Sequence, residues 1–242
     1  MRMVYVLLFI LSVQQVSFAG GFEHDTLSTA EGDLIITFIG HGTLMFTYGD
    51  LVIHVDPVSR YADYSDMPKA DIILVTHHHG DHLDPDAIGK LTKPNTGVIL
   101  TETCADQGIS GIIMRNGDEK IIGDIRIRAV PAYNITHKRD TGEPFHPKGT
   151  GNGYVIHFSS TRVYVAGDTE DVPEMKNLAG IDCAFLPMNL PYTMTPEMVV
   201  HAVDLLQPKI LYPYHFGDTD TGYLLNLLKS YKSLDIRIRK MN

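Results

Sequence analysis

Residues 76–84 read THHHGDHLD and follow directly on the apolar run 71–75. No other stretch constrains this chain as tightly. A short, continuous apolar run reads as a strand buried on both faces. A metal site needs ligands that converge, and the segment after this strand supplies them. Side chains alternate with period two along an extended segment, so His77 and His79 point the same way. His78 faces away and is left out as a ligand. Gly80 lets the chain bend, and Asp81 and His82 follow. One loop can thus offer two nitrogens to one ion, and a carboxylate with an imidazole to another. Imidazole and carboxylate without thiolate suit zinc, iron or manganese. A histidine tag would be terminal and contiguous, and this cluster is neither.

Strands come in two batches around this segment. Residues 33–39, 43–48 and 51–55 are β-rich runs, separated by turn residues at 40–42 and 49–50. Strands over 72–75 and 98–101 follow, with a helix over 85–91 between them. Asp84 is placed to cap that helix and Pro85 to begin it. Residues 121–130 read as one strand, and 131–152 as a long loop rich in proline, glycine and charge. Loops of that length usually carry function. The pattern then restarts. A hairpin spans 153–158 and 162–166, and strands span 181–186 and 210–212. A helix over 196–206 is capped by Thr195, a second covers 222–231, and a last strand covers 236–238. Residues 20–32 are polar and expected to be loosely held. Two batches of strands with helices predict two β-sheets packed face to face, with helices outside. No linker interrupts residues 20–242, which read as a single domain.

Composition narrows the function classes. The formal net charge is −9, which argues against wrapping a nucleic-acid backbone. Residues 1–19 stand apart. Arg2 precedes the apolar run 4–11, and Ser17 and Ala19 place small residues before a cut ahead of Gly20. The run is well short of the roughly 20 residues a bilayer span needs. The reading is a cleaved signal peptide and an exported chain, periplasmic or secreted, with no stable membrane span. Two cysteines, Cys104 and Cys183, are not a disulfide framework, and both are expected to be structural.

The chain resembles the metallo-β-lactamase fold from about Asp33 to its C-terminus. Thr76 to His82 match the family's THxHxDH signature. Gly167-Asp168-Thr169 follows a strand, like the family's Gly-Asp turn. Tyr212 to Phe216 resemble its late histidine stretch. Gly40 to Leu44 and Val55-Asp56-Pro57 resemble its opening elements. The branch it looks most like holds small metal-dependent hydrolases related to ascorbate-6-phosphate lactonases. Members often carry Ala-Tyr-Asn, Phe-His-Pro-Lys and a glycine-rich hairpin, matched here at 132–134, 145–148 and 151–154.

The resemblance implies an α/β fold, the αββα sandwich of two mixed sheets with outer helices. It implies two divalent cations, zinc first and manganese or iron next, with a hydroxide between them that attacks a small molecule. His77, His79 and His146 would hold one ion, and Asp81, His82 and His215 the other, with Asp168 bridging. Asp81 would also orient the nucleophile or carry a proton to the leaving group. His41 and Asp56 would orient ligand imidazoles. The bond attacked is a lactone, an ester or amide, or a phosphodiester. The chain departs from the wider family in one place. Asn134 stands about where a third histidine is expected, so His146 and His137 both remain candidates. An exported metal-binding protein and a di-iron redox protein are the rival readings.

Overall fold

The computed structural model describes residues 21–178 and 180–241, so the expected signal peptide lies outside the described residues. The first sheet runs in chain order: β1 (Glu23–Thr29), β2 (Gly32–Gly40), β3 (Thr43–Tyr48), β4 (Leu51–Val55), β5 (Ile72–Leu74), β6 (Gly97–Leu100) and β7 (Ile112–Ile113). The second also follows chain order: β8 (Glu119–Ile122), β9 (Ile125–Ala132), β10 (Gly151–Phe158), β11 (Thr161–Val165), β12 (Cys183–Pro187), β13 (Ile210–Tyr214) and β14 (Asp235–Ile236). Both sheets obey one scheme. The first four strands pair antiparallel, and the fourth pairs parallel with the next. The remaining strands stay parallel.

Parallel neighbours need crossover connections, and the helices lie in them. α1 (Pro85–Leu91) joins β5 to β6, α2 (Glu102–Ala105) joins β6 to β7, and α3 (Pro196–Leu206) joins β12 to β13. α4 (Thr221–Leu227) leads to β14, and a 3-10 turn over Pro173–Asn177 precedes β12. The Asp84 carboxylate accepts from the N–H groups of Asp86 and Ala87, and the Thr195 hydroxyl from that of Met198. Both helices thus start where the sequence places them.

Alternation along the strands sorts the core into layers. Leu44, Phe46, Ile72 and Leu74 share one apolar cluster with Ile127, Ala129, Tyr154 and Ile156 of the other sheet. Phe46 meets Phe158 and Phe185 at ring-centroid distances of 5.7 and 5.9 Å, directly across the two sheets. Met45, Ile73 and Val75 point the opposite way and pack with Ala87, Ile88 and Leu91 of α1. On the second sheet, Val199, Ala202 and Leu206 of α3 join the main cluster. The result is the αββα sandwich.

Four local expectations change. The polar segment 20–32 holds a strand: β1 pairs along its whole length with β2, from Glu23 opposite Phe38 to Thr29 opposite Gly32. Residues 121–130 are two strands, because Gly123 and Asp124 turn the chain and Ile122 pairs with Ile125. The helix expected to reach Tyr231 ends at Leu227, and the last strand sits at Asp235–Ile236. The short β7 and α2 carry too few residues for periodicity to register.

Candidate metal centre

The histidine-rich segment leaves the end of β5, Asp168 follows β11 and His215 follows β13. Asp56 follows β4, His41 sits in the β2–β3 turn, and His146 lies on the long β9–β10 loop. Face-to-face packing brings these ends together. The Tyr154 hydroxyl donates to the Val75 carbonyl at 2.8 Å, and the Asn152 N–H to the Thr76 carbonyl at 2.9 Å. The His215 N–H donates to the His41 carbonyl at 3.0 Å. His41, Asp56 and His215 have φ of 53°, 45° and 47°, a left-handed conformation that residues other than glycine rarely adopt. Strain of this kind, about 1–3 kcal/mol per residue, collects at functional sites. Gly167, with φ +66°, allows the turn that aims Asp168, and a Cβ there would lie 2.9 Å from the Asn152 carbonyl oxygen. Its N–H donates to the Tyr214 hydroxyl at 2.9 Å.

Two sets of donor atoms meet at Asp168. In the first, His77 Nε2 and His146 Nε2 lie 3.1 and 3.2 Å from His79 Nδ1. Asp168 Oδ2 stands 3.2 Å from His146 Nε2 and 3.9 Å from His77 Nε2. In the second, Asp168 Oδ1 lies 3.4 Å from both His82 Nε2 and His215 Nε2. Asp81 Oδ2 is 3.4 Å from His215 Nε2 and 3.8 Å from His82 Nε2. His41, expected to orient ligand side chains, stands beside the second set. Its Nε2 lies 3.2 Å from Asp81 Oδ2, so it joins Asp81 and His215 in one possible ligand triplet. Asp56 is fully buried and pairs with His82 Nδ1 at 2.7 Å, while accepting from the Thr76 N–H and hydroxyl. That leaves His82 Nε2 facing Asp168.

These residues fit divalent cations. His82 Nε2, His215 Nε2 and Asp168 Oδ1 are buried and hydrogen-bonded to nothing, though they face one another. Buried polar atoms are almost always satisfied, so three converging exceptions call for a ligand. Charge agrees. Burial works against the His82 imidazolium, but the Asp168, Asp56 and Asp81 carboxylates outweigh it and push the ring up to about 10. Burial also opposes ionisation of Asp168, yet the surrounding His215, His82 and His146 rings hold its carboxyl well below the usual range. On the other side, burial and the His146 ring bring His79 down to about 4. His79 is thus neutral and Asp168 ionised, as ligation requires, whereas His82 holds among the three carboxylates a proton that a bound cation would displace.

A supporting layer escaped sequence reasoning. Asn134 Nδ2 donates to Glu170 Oε1 and to the Tyr192 carbonyl, at 3.1 and 2.9 Å. That fixes the amide, so Asn134 Oδ1 must accept. It accepts from the His146 N–H at 2.8 Å and from His146 Nδ1 at 2.6 Å, which frees Nε2 for the first donor set. The fully buried Glu170 carboxylate also takes the backbone N–H groups of Ile135, Thr136 and His137. Burial would raise this carboxyl, but those donors hold it below its ordinary value. His137 is drawn to the Glu170 carboxylate, with Nδ1 at 2.9 Å from Oε1, and joins no ligand group. An acid next to the Gly-Asp-Thr turn was visible in the sequence, but its partners were not. His78 joins no group either.

A cavity of about 530 Å³ opens over the centre, lined by His41, His79, Asp81, His146, Asp168 and His215 at its base. Arg60, Tyr61, Gly80, Arg139, Phe145, Asn189 and Tyr192 complete it.

The sequence profile of the β-lactamase superfamily domain matches residues 35–215, well over half of the chain. The chain belongs to this superfamily. Within the superfamily it is similar to a UPF0173 metal-dependent hydrolase of Pelotomaculum thermopropionicum, 31% identical over 220 residues, which cover 84% of this chain and 95% of the relative. A solved structure of a metal-dependent hydrolase from Parabacteroides distasonis is 50% identical, with a TM-score of 0.87, over 92% of this chain and all of that one. A metallo hydrolase from Ignicoccus hospitalis shares the fold, with a TM-score of 0.70 at 23% identity, over 86% of this chain and 95% of that one. This member of the superfamily is a metal-dependent hydrolase. No helix among the described residues is long and apolar enough to cross a membrane.

Proposed function

We propose that the chain hydrolyses a lactone, ester, amide or phosphodiester bond of a small molecule at a two-cation centre. The observation that carries this reading is Asp168, whose two carboxylate oxygens face two different sets of imidazoles. His77, His79 and His146 would hold one ion, and Asp81, His82 and His215 the other, with Asp168 between them and His41 beside the second. Zinc suits imidazole and carboxylate donors best, and manganese or iron accept the same set. Bound cations there supply Lewis acidity and an acidified water at neutral pH.

The chain's own residues do the rest. Asp81 is partly exposed to the cavity and sits between His41 and His215. From there its carboxylate would orient the attacking water. His41 Nε2, 3.2 Å away, keeps that carboxylate oriented. Asp56 holds His82, and Asn134 holds His146, so ligand rings need no reorganisation. Tyr61 stacks on His41 at 5.3 Å and limits water on that side. Export through residues 1–19 belongs to the same proposal and rests on their signal-peptide pattern.

Elemental analysis of the purified protein tests the centre. The expected result is about two zinc, manganese or iron atoms per chain, falling in Asp168→Ala together with turnover. Full turnover in that variant would sink the bridging assignment. No metal after reconstitution would sink the hydrolase mechanism.

A further inference from the structure

The cavity wall above the centre has a charge opposite to that of the chain. The protein carries −9 overall, yet the charged residues lining the cavity away from the donor atoms are Arg60 and Arg139. Other arginines, such as Arg115, Arg237 and Arg239, are tied to carboxylates. Among the described residues neither Arg60 nor Arg139 has a carboxylate in salt-bridge range. Arg139 lies 5.1 Å over the Phe145 ring and donates to the Phe145 carbonyl at 3.3 Å. Phe145 in turn meets Tyr192 edge-on at 5.0 Å. Arg60 adjoins Tyr61, which stacks on His41.

The geometry points to an anionic small molecule with an apolar body as the substrate class, its charge held by Arg60 and Arg139 and its body by Phe145, Tyr192 and Tyr61. This inference rests on the two-cation hydrolase reading for the bond that is cut, but not for the binding of the anion. A guanidinium presents a planar fork that matches carboxylate and phosphate oxygens. Lining one cavity, two of them offset the repulsion that an acidic protein exerts on an anion. Carboxylate and phosphate share this chemistry, so the test separates them.

Binding of phenylphosphonate, benzoate and neutral benzamide to the metal-loaded protein is measured by calorimetry at low and high salt. Metal content is determined on the same samples. At least one anion should bind tenfold or more tightly than benzamide, and less tightly at high salt. Arg60→Gln and Arg139→Gln should each weaken that anion several-fold, and together tenfold or more, with metal per chain unchanged. A loss confined to phenylphosphonate would name a phosphate-bearing substrate, and a loss confined to benzoate a carboxylate. Anion affinity in the double variant within twofold of wild type would overturn the inference. So would equal binding of all three probes to the wild type. Absence of hydrolysis across an ester, lactone and phosphodiester panel, with anion binding intact, would instead remove the hydrolase reading and leave the anion site standing.

Discussion

Asn134 stands where the wider superfamily pattern expects a ligand, and it does a different job. Its amide is locked by Glu170 and the Tyr192 carbonyl, so its oxygen holds His146 Nδ1 and turns Nε2 inward. Partners that orient ligand rings typically change metal affinity by 10–100-fold. Asn134→Ala should therefore weaken the first ion at least tenfold in a chelator competition, while Asp81, His82 and His215 keep theirs. His137→Ala should stay within twofold of wild type, because His137 faces Glu170 rather than the donor set. A larger effect from His137 than from Asn134 would reverse the assignment. The Phe-His-Pro-Lys context favours His146 in the sequence, but periodicity has no grip on a loop of some twenty residues. What separates the two histidines is a buried carboxylate contributed by a distant turn, and distance along the chain says nothing of it.

Elements were legible where their side chains alternate and illegible where polar residues are clamped. β1 reads as a polar tail, EHDTLST, yet it is stitched to both β2 and the C-terminal segment. Asp25 explains this. Its carboxylate accepts from Arg239 at 2.8 Å, Arg237 at 3.1 Å and the Tyr212 hydroxyl. Burial would raise this carboxyl, and the three donors outweigh burial and lower it. Its side chain is only 12% exposed, so solvent screens the cluster little. Asp25→Ala leaves Arg239 without its carboxylate, while Arg237 keeps Asp235, and should cost about 2 kcal/mol in chemical denaturation. Amide exchange along 23–29 should accelerate more than along β3. An unchanged denaturation midpoint would show that backbone pairing alone holds the strand. A sequence pattern scores Asp25 as solvated because its partners lie more than 180 residues away.

At the scale of the whole molecule, stability follows pH through groups that folding keeps neutral. His54 on β4 is fully buried, its Nε2 donates to the Pro68 carbonyl at 3.1 Å, and its Nδ1 has no partner. Burial brings it down to about 4, with the Pro68 bond only partly opposing. The folded value lies below the ordinary one of about 6.5, so the unfolded chain takes up this proton first as pH falls. The contribution is complete above about pH 6.5 and is lost progressively toward pH 4, to a total of roughly 3 kcal/mol. The difference in unfolding free energy between wild type and His54→Gln should show that trend, with the ligand histidines cancelling. A flat difference over that window would refute it. The same division between local pattern and distant partner holds for the whole chain. Sequence alone determined the two batches of strands, the capped helices at Pro85 and Pro196, and the donor types of residues 77–82, because alternation, capping and turn chemistry act over a few neighbours. It also marked Asp168 and His215 by local context. Only the tertiary structure decided that Asp168 faces both donor sets, that His41 meets Asp81, that Asn134 and Glu170 serve His146, and that Arg60 and Arg139 share one cavity. Those relations arise where strand ends from two sheets meet, and packing, not sequence proximity, brings them within hydrogen-bonding reach.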